Sequence, residues 1–586
     1  MKKLICALLI IVSIFALVGC GQKEDSNQKI TVCFAGDPET IDPALCSTVD
    51  AAVICNNAFV GLYGYEADAN GNPKLVARCA EEIVTPTANA DGSYTYVLTL
   101  KKGLKWSDGS ELKASDFVYA WNRAARPSTG GDYGFLYQVI CGYDELCADE
   151  SKSLDAVADN SNRTITLRTP YFCAYFDQLL AFATFFPVKE ANVTANENWA
   201  TSASTYITNG AFRMKSWTVG SEIVFEKNPN YVNAKEVQLQ ELKFFLSEDD
   251  TAVFANFKAG EIQYTTHVPV DQIPVLKQNN LGKDFFIGDY IGTWFLEFNV
   301  NASFKPGLAN VGDDAAAWAG WTEEQNSEVR YALGLLIDRN YIVNSITAAG
   351  QQPAYGFVPA GMSDGNGNIF REEAEEWWSV DPADYDSNVQ EALSILKKYY
   401  NFDSTTGKFT NFPKFDAKLN NTSGNVAILT AIQNMWNKYG IEFEMDQRAW
   451  SILTTEVTAG NFTCSRMGWI ADYNDPVNFL EIYLSNSGNN HPQLGKSGYM
   501  SSQSQFGLND NQPWSAYDAL VASINAEADP ARRAELMYEA EEWLREEACI
   551  LPVYYYTNPY LCSENLEGFL YSSLGWVNFE HAHLVG

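Results

Sequence analysis

The sequence predicts an α/β protein with mixed sheets in more than one lobe, and three observations lead there. At 586 residues and 65.1 kDa the chain exceeds the size at which one hydrophobic core stops growing, so two or three domains are expected. Its 46% hydrophobic and 19% charged residues suit a globular protein and are too apolar for a disordered one. Segments with a two-residue apolar period alternate irregularly with segments of helical period, and there is no internal repeat.

The elements follow in chain order. Residues 1–20 read MKKLICALLIIVSIFALVGC: two lysines, an apolar run, then a small residue before Cys20. This is a secretory signal, too short to be a comfortable membrane span. Leu17-Val18-Gly19-Cys20 resembles the lipobox of bacterial lipoproteins, in which the chain is cut before the cysteine and lipid is attached to it. Cys20 is therefore the expected lipid anchor, on an extracytoplasmic protein, and residues 21–29 a polar tether. Ser93 to Leu100 (SYTYVLTL) alternates and reads as a half-buried strand. Arg163 to Arg168 and Glu222 to Glu226 repeat the pattern over shorter spans. Asn326 or Ser327 is the expected cap of a helix carrying Val329, Leu333, Leu336 and Ile337 on one stripe. Val389 to Tyr399 forms a second helix. Pro530 opens a third, with Leu536, Ala540, Trp543 and Leu544 facing inward and its Glu and Arg residues outside. Val553 to Tyr556 (VYYY) reads as a buried strand.

Composition excludes several functions. Forty Lys and Arg against 73 Asp and Glu give a net charge of −33, the wrong sign for binding nucleic acid phosphates. Only four His are present. Of twelve Cys, ten lie outside the leader; Cys141 and Cys147 are close enough to pair across a turn, and the others are expected as small buried hydrophobes.

Motifs for catalysis are weak. Gly361-Met362-Ser363-Asp364-Gly365 fits the hydrolase elbow, which needs a strand before it and a helix after it; here prolines precede it and Asn366-Gly367-Asn368 follows. Asp364, Asn366 and Asn368 mimic the first ligands of a calcium loop, with Glu375 twelve positions along, but Ile369 stands where such loops need Gly. His581 and His583 are two ligands, too few for a metal site. The expectation is a protein without catalysis, cofactor or metal.

Several collinear blocks resemble the substrate-binding proteins of peptide and nickel ABC importers, specifically the oligopeptide-binding lipoproteins of extracellular solute-binding protein family 5. They are Asp37 to Pro43 (DPETIDP), Lys105 to Gly109 (KWSDG) with Ser115 to Arg123 (SDFVYAWNR), and Asn209 to Phe212 (NGAF) with Ile223 to Tyr231 (IVFEKNPNY). Val329 to Leu333 (VRYAL) with Ile337 to Arg339 (IDR), Gly468 to Pro476 (GWIADYNDP) and Pro552 to Tyr556 (PVYYY) complete the series. The resemblance covers roughly residues 30 to 575.

It implies a three-lobed type II periplasmic-binding-protein-like (cluster C) fold with mixed sheets and a hinge. Lobe I would comprise 30–58, 189–290 and 550–586, lobe II 59–188, and lobe III 291–549. It also implies a monomer that captures oligopeptides between lobes I and III by hinge closure. The peptide would add like a strand and be delivered to a membrane permease with ATPase subunits. Asp472 matches the aspartate that pairs with the peptide α-amino group. Trp469 and Trp450 match aromatics lining the site, Tyr133 a contact from lobe II, and Arg466 an arginine able to meet the peptide's carboxyl end or an acidic side chain. From spacing alone Asp472 could instead organise the turn before Pro476, the aromatics could be core, and Arg466 could sit in a structural ion pair. Val457 and Gly424 stand where relatives carry an Arg and a His, and Ser47 replaces a glutamate that contacts the peptide backbone. The amino-end anchor is thus kept and the carboxyl-end anchors partly lost. A nickel chelate, haem or an oligosaccharide, or a peptide pheromone sensed rather than imported, are the alternative ligands for this fold.

Overall fold

The computed structural model describes residues 28–68, 71, 73–278, 283–312, 314–496 and 512–585. The leader, Cys20 and nearly all of the tether lie outside the described residues. No helix among the described residues is long and apolar enough to cross a membrane.

The frame is one large mixed sheet built from strands far apart in sequence. Its strands include β1 (Lys29–Cys33), β2 (Phe212–Thr218), β3 (Glu222–Lys227), β4 (Glu241–Phe245) and β5 (Tyr264–Thr265). They also include β6 (Phe285–Phe298), β7 (Phe415–Asn420), β8 (Phe443–Arg448), β9 (Cys464–Ile470) and β10 (Ile550–Cys562). The order is β8-β7-β9-β6-β10-β5-β1-β4-β3-β2, with Gln352–Pro353 added beside β10. Two long strands, β6 and β10, run antiparallel through its middle. Their register shifts between Asp289 and Thr293, so each bends there and serves both halves of the sheet. A separate four-stranded antiparallel sheet takes Thr87–Ala88, Tyr94–Thr99, Thr164–Thr169 and Ala156–Asp159 in that spatial order.

Local sequence explains most of this. In Tyr94–Thr99, Tyr96 and Leu98 are buried while Val97 is 51% exposed, the alternation of a strand with one wet face. β3 differs: Ile223, Val224 and Phe225 are all buried, because both faces of the large sheet are covered. Val553 lies in the first half of β10 and is fully buried.

Two sequence expectations need correction. The helix α1 (Glu323–Leu335) starts a turn earlier than expected: Thr322 caps it, and Gln325 bonds back to the Thr322 N–H in a reciprocal capping box. Asn326 is instead buried inside the helix, where its side chain bonds Phe304, Trp321 and Ala302. The second concerns α2 (Pro530–Glu547), capped by Asp529 with Pro530 in its first turn. Its apolar stripe faces inward as expected, but so does Glu541, fully buried against Arg371. The pair is bidentate at 2.6 and 2.7 Å, and Glu541 also accepts the N–H groups of Phe357 and Val358. Such a charge is tolerated inside only because the partner and the extra donors replace its water.

The ten described cysteines are free thiols. All are buried except Cys141 and Cys147, which are half-buried and unbonded. The serine motif also dissolves. Asp364 accepts from the backbone N–H groups of Asn366 and Asn368 and from the Tyr538 hydroxyl, so this segment is a self-satisfied loop. Ser363 sits in it without a flanking strand and helix.

Replacing Glu541 with Ala leaves Arg371 buried and unpaired, so we expect a loss of about 3–5 kcal/mol. Urea unfolding followed by tryptophan fluorescence measures it. Replacing both members with apolar residues of similar size should cost clearly less.

Candidate functional site

Strand β9 is where the site is built, and its pleat decides which residues can act together. Side chains alternate across a strand. Met467 and Trp469 therefore point to one face, opposite Phe295 and Thr293 of β6, while Arg466 and Gly468 point to the other. Each face borders a chamber. The first is lined among others by Tyr133, Trp450, Trp469 and Asp472. The second is lined by Trp450, Arg466 and Tyr556 among others. Val49, Trp450, Gly468 and Ile470 border both, so the two meet over the strand. Because they meet there, the two chambers form one continuous lined path across β9. Gly468 is needed at the junction: a side chain there would run into the Tyr556 hydroxyl.

Asp472 lies just beyond β9. Its Oδ1 accepts from the Tyr133 hydroxyl at 2.9 Å and its Oδ2 from the Asn478 amide at 3.0 Å. Asn478 is itself buried and fixed: its Oδ1 accepts the Asp472 N–H and the Trp469 indole N–H, both at 3.0 Å. The ring of Tyr133 lies 6.2 Å from that of Trp469 and edge-on to Phe182. All these donors are neutral, and no cation of the described protein reaches the carboxylate. Burial without a counter-charge pushes the Asp472 carboxyl up to about 7. The turn before Pro476 is organised by other groups. Asp475 accepts the Val477 N–H and holds Arg533 bidentately at 2.9 Å, and Tyr473 stacks on Tyr175 with centroids 4.3 Å apart.

Arg466, on the other face, is not held in an ion pair. Its guanidinium donates to the Tyr556 hydroxyl at 2.9 Å and to Asn420 at 3.3 Å, and Nε has no partner. Asp50 lines the same chamber with one carboxylate oxygen unpaired, and burial raises its pKa. Also in this wall, the His267 ring bonds Asp250 at 2.7 Å and the Phe34 carbonyl at 3.0 Å, while Asp250 accepts from Ser423.

The structure thus gathers Asp472, Trp469, Tyr133 and Trp450 around one chamber and sets Arg466 in the next, with Trp450 shared. Ser47 lines the first chamber and Gly424 the second, whereas Val457 is buried in the core. Sequence reasoning missed Asn478, Asp50 and Tyr556. Asn478 carried one usable signal, its position in the turn that follows Asp472. No group of three or more metal-ligating side chains occurs among the described residues, and His581 and His583 lie in an exposed terminal region, with His583 3.9 Å from Glu567.

Comparison with known proteins gives a consistent picture. The profile of the bacterial extracellular solute-binding proteins, family 5 (middle), matches residues 74–491. The oligopeptide-binding protein OppA of Bacillus subtilis is 28% identical, over 96% of this chain and 94% of its own. The periplasmic oligopeptide-binding protein OppA of Escherichia coli is also 28% identical, over 95% and 92%. Among solved structures, Haemophilus influenzae OppA in complex with the peptide RPPGFSPFR superposes with a TM-score of 0.80 at 23% identity, covering 96% of this chain and all of that one.

The raised pKa of Asp472 has a sign. A carboxyl whose pKa is higher when buried favours the buried arrangement while protonated. Opening the contact with Tyr133 returns Asp472 to water and to a pKa of about 3.9. The arrangement with Tyr133 and Asp472 in contact is therefore favoured below about pH 4 and progressively loses that advantage as pH rises to about 7. Small-angle scattering of the ligand-free protein should show a more compact particle at pH 5 than at pH 8. Asp472→Asn should remove the difference.

Proposed function

The chain belongs to bacterial extracellular solute-binding protein family 5, and we propose that it captures oligopeptides for import by an ABC transporter, with Asp472 receiving the peptide's α-ammonium group. One observation carries this reading: a buried carboxylate held by two neutral side chains, lacking a cation, at the edge of an aromatic-lined chamber that continues across β9 into a second. An ammonium group satisfies what the protein leaves unmet there, and a charge-assisted bond of this kind contributes about 1.5–3 kcal/mol. Trp469, Trp450 and Tyr133 supply the aromatic walls. Arg466, with no carboxylate partner, is the cation that meets an acidic side chain or the far end of the peptide.

In the same proposal lobe I (30–58, 189–290, 550–586) and lobe III (291–549) close over the ligand, with lobe II (59–188) inserted in lobe I. The register shift in β6 and β10 between Asp289 and Thr293 supports a bending point there. Cys20 carries the lipid that tethers a monomeric, non-enzymatic binder outside the cytoplasmic membrane, where a permease and its ATPase subunits receive the cargo.

Calorimetric titration of the tether-deleted protein with a mixed five-residue peptide library tests the reading. Micromolar binding, roughly −8 kcal/mol, should weaken at least about tenfold when the library is N-acetylated and likewise in Asp472→Asn. Binding indifferent to acetylation would keep the peptide and remove Asp472 from its role. Absence of binding to both libraries would overturn the peptide assignment.

A further inference from the structure

The first chamber contains a second group of buried polar atoms that the amino-end anchor does not use. Glu297 lies on the same face of β6 as Phe295, opposite Ser465 of β9, and is 1% exposed. Neither of its carboxylate oxygens accepts a hydrogen bond from the protein. Two further atoms bordering the chamber are buried and unpartnered, the Tyr483 hydroxyl and the Asn489 amide nitrogen. Leaving such groups unmet costs about 1–3 kcal/mol each, and more for a charge, so their convergence on one space calls for an occupant.

The loop that brings Asn489 here is itself rigid. Asn490, fully buried, donates to the Leu484 and Leu494 carbonyls and accepts the Leu494 N–H. The same loop sets His491 Nδ1 3.3 Å from Glu297, the one basic side chain within ion-pair range of this carboxylate among the described residues.

Charge fixes the class of occupant. Of the charged groups lining the chamber, Arg78 is already matched by Glu580 at 2.6 Å. That leaves the carboxyl groups of Asp132, Glu297 and Asp472, more acidic groups than one α-ammonium can partner. We infer that the Glu297 pocket is a side-chain subsite for a lysine or arginine near the amino end of the bound peptide. The long apolar stem lies along Phe295, Met467 and Ile482 while its cationic head donates to Glu297 and the Tyr483 hydroxyl. This inference rests on the peptide reading above and adds a preference to it: peptides with two positive charges at their amino end, one for Asp472 and one for Glu297.

The test separates the two. Alanine pentapeptides carrying a single lysine at position one, two or three are titrated beside the same peptides carrying norleucine or Nε-acetyl-lysine. At one position lysine should bind at least tenfold tighter than both replacements, with arginine equal or better. In Glu297→Gln that advantage should vanish while the affinity for the norleucine peptide is kept. Binding of norleucine and lysine peptides with equal affinity at every position overturns the subsite and leaves the peptide reading intact, as a pocket that merely holds solvent would give. An advantage that survives Glu297→Gln overturns it too. No binding of any peptide overturns both. The peptide series in the unaltered protein decides the matter even if Glu297→Gln folds poorly.

Discussion

A carboxylate taken out of water without a counter-ion is the constraint around which the cleft is arranged. Asp472 keeps hydrogen bonds from Tyr133 and Asn478, but both are neutral, and they orient the charge without compensating it. The protein spends effort on that orientation: Asn478 is locked by the Trp469 indole and by the Asp472 backbone, and the following turn is pinned by Asp475 and Arg533. Orientation with incomplete neutralisation is what a site for an incoming cation requires, because a resident cation would have to be displaced first. The raised pKa of Asp472 is the measure of what is missing.

The pleat of β9 then divides the labour. Adjacent residues of one strand cannot face the same space, so Trp469 and Arg466 serve different chambers although only three positions separate them. The same strand thereby borders an anionic space on one side and a cationic residue on the other. Gly468 and Trp450 sit where the two chambers meet, the first because the Tyr556 hydroxyl fills the room a side chain would need.

Legibility in the sequence followed a physical rule. Elements whose signal is local were read well: the alternation in Tyr94–Thr99, the helix opened by Pro530, and the buried strand at Val553. The errors arose where a residue's partner is distant. Asn326 or Ser327 suits a cap because Asn and Ser cap helices, yet the Asn326 side chain bonds Phe304 and Ala302, more than twenty positions back. The Glu residues of the helix opened by Pro530 are expected outside because Glu is usually exposed, yet Arg371, 170 positions away, draws Glu541 inside. For the candidate site, resemblance alone points to Asp472, Trp469, Trp450, Tyr133 and Arg466, since a lone Asp in a turn has no chemistry of its own to announce.

By itself the sequence determined composition and its consequences: an acidic surface that excludes nucleic acid, a chain too long for one core, and the periods of its strands and helices. Collinear blocks added the family. Tertiary structure alone decided which charges lack partners. Whether Asp472, Glu297 and Arg466 are paired depends on what approaches from other strands and loops, and a linear string carries no distance between Glu297 and His491, or between Asp472 and Tyr133. In a folded protein an unpaired buried charge is the exception that has to be built, and only the assembled neighbours show where it is.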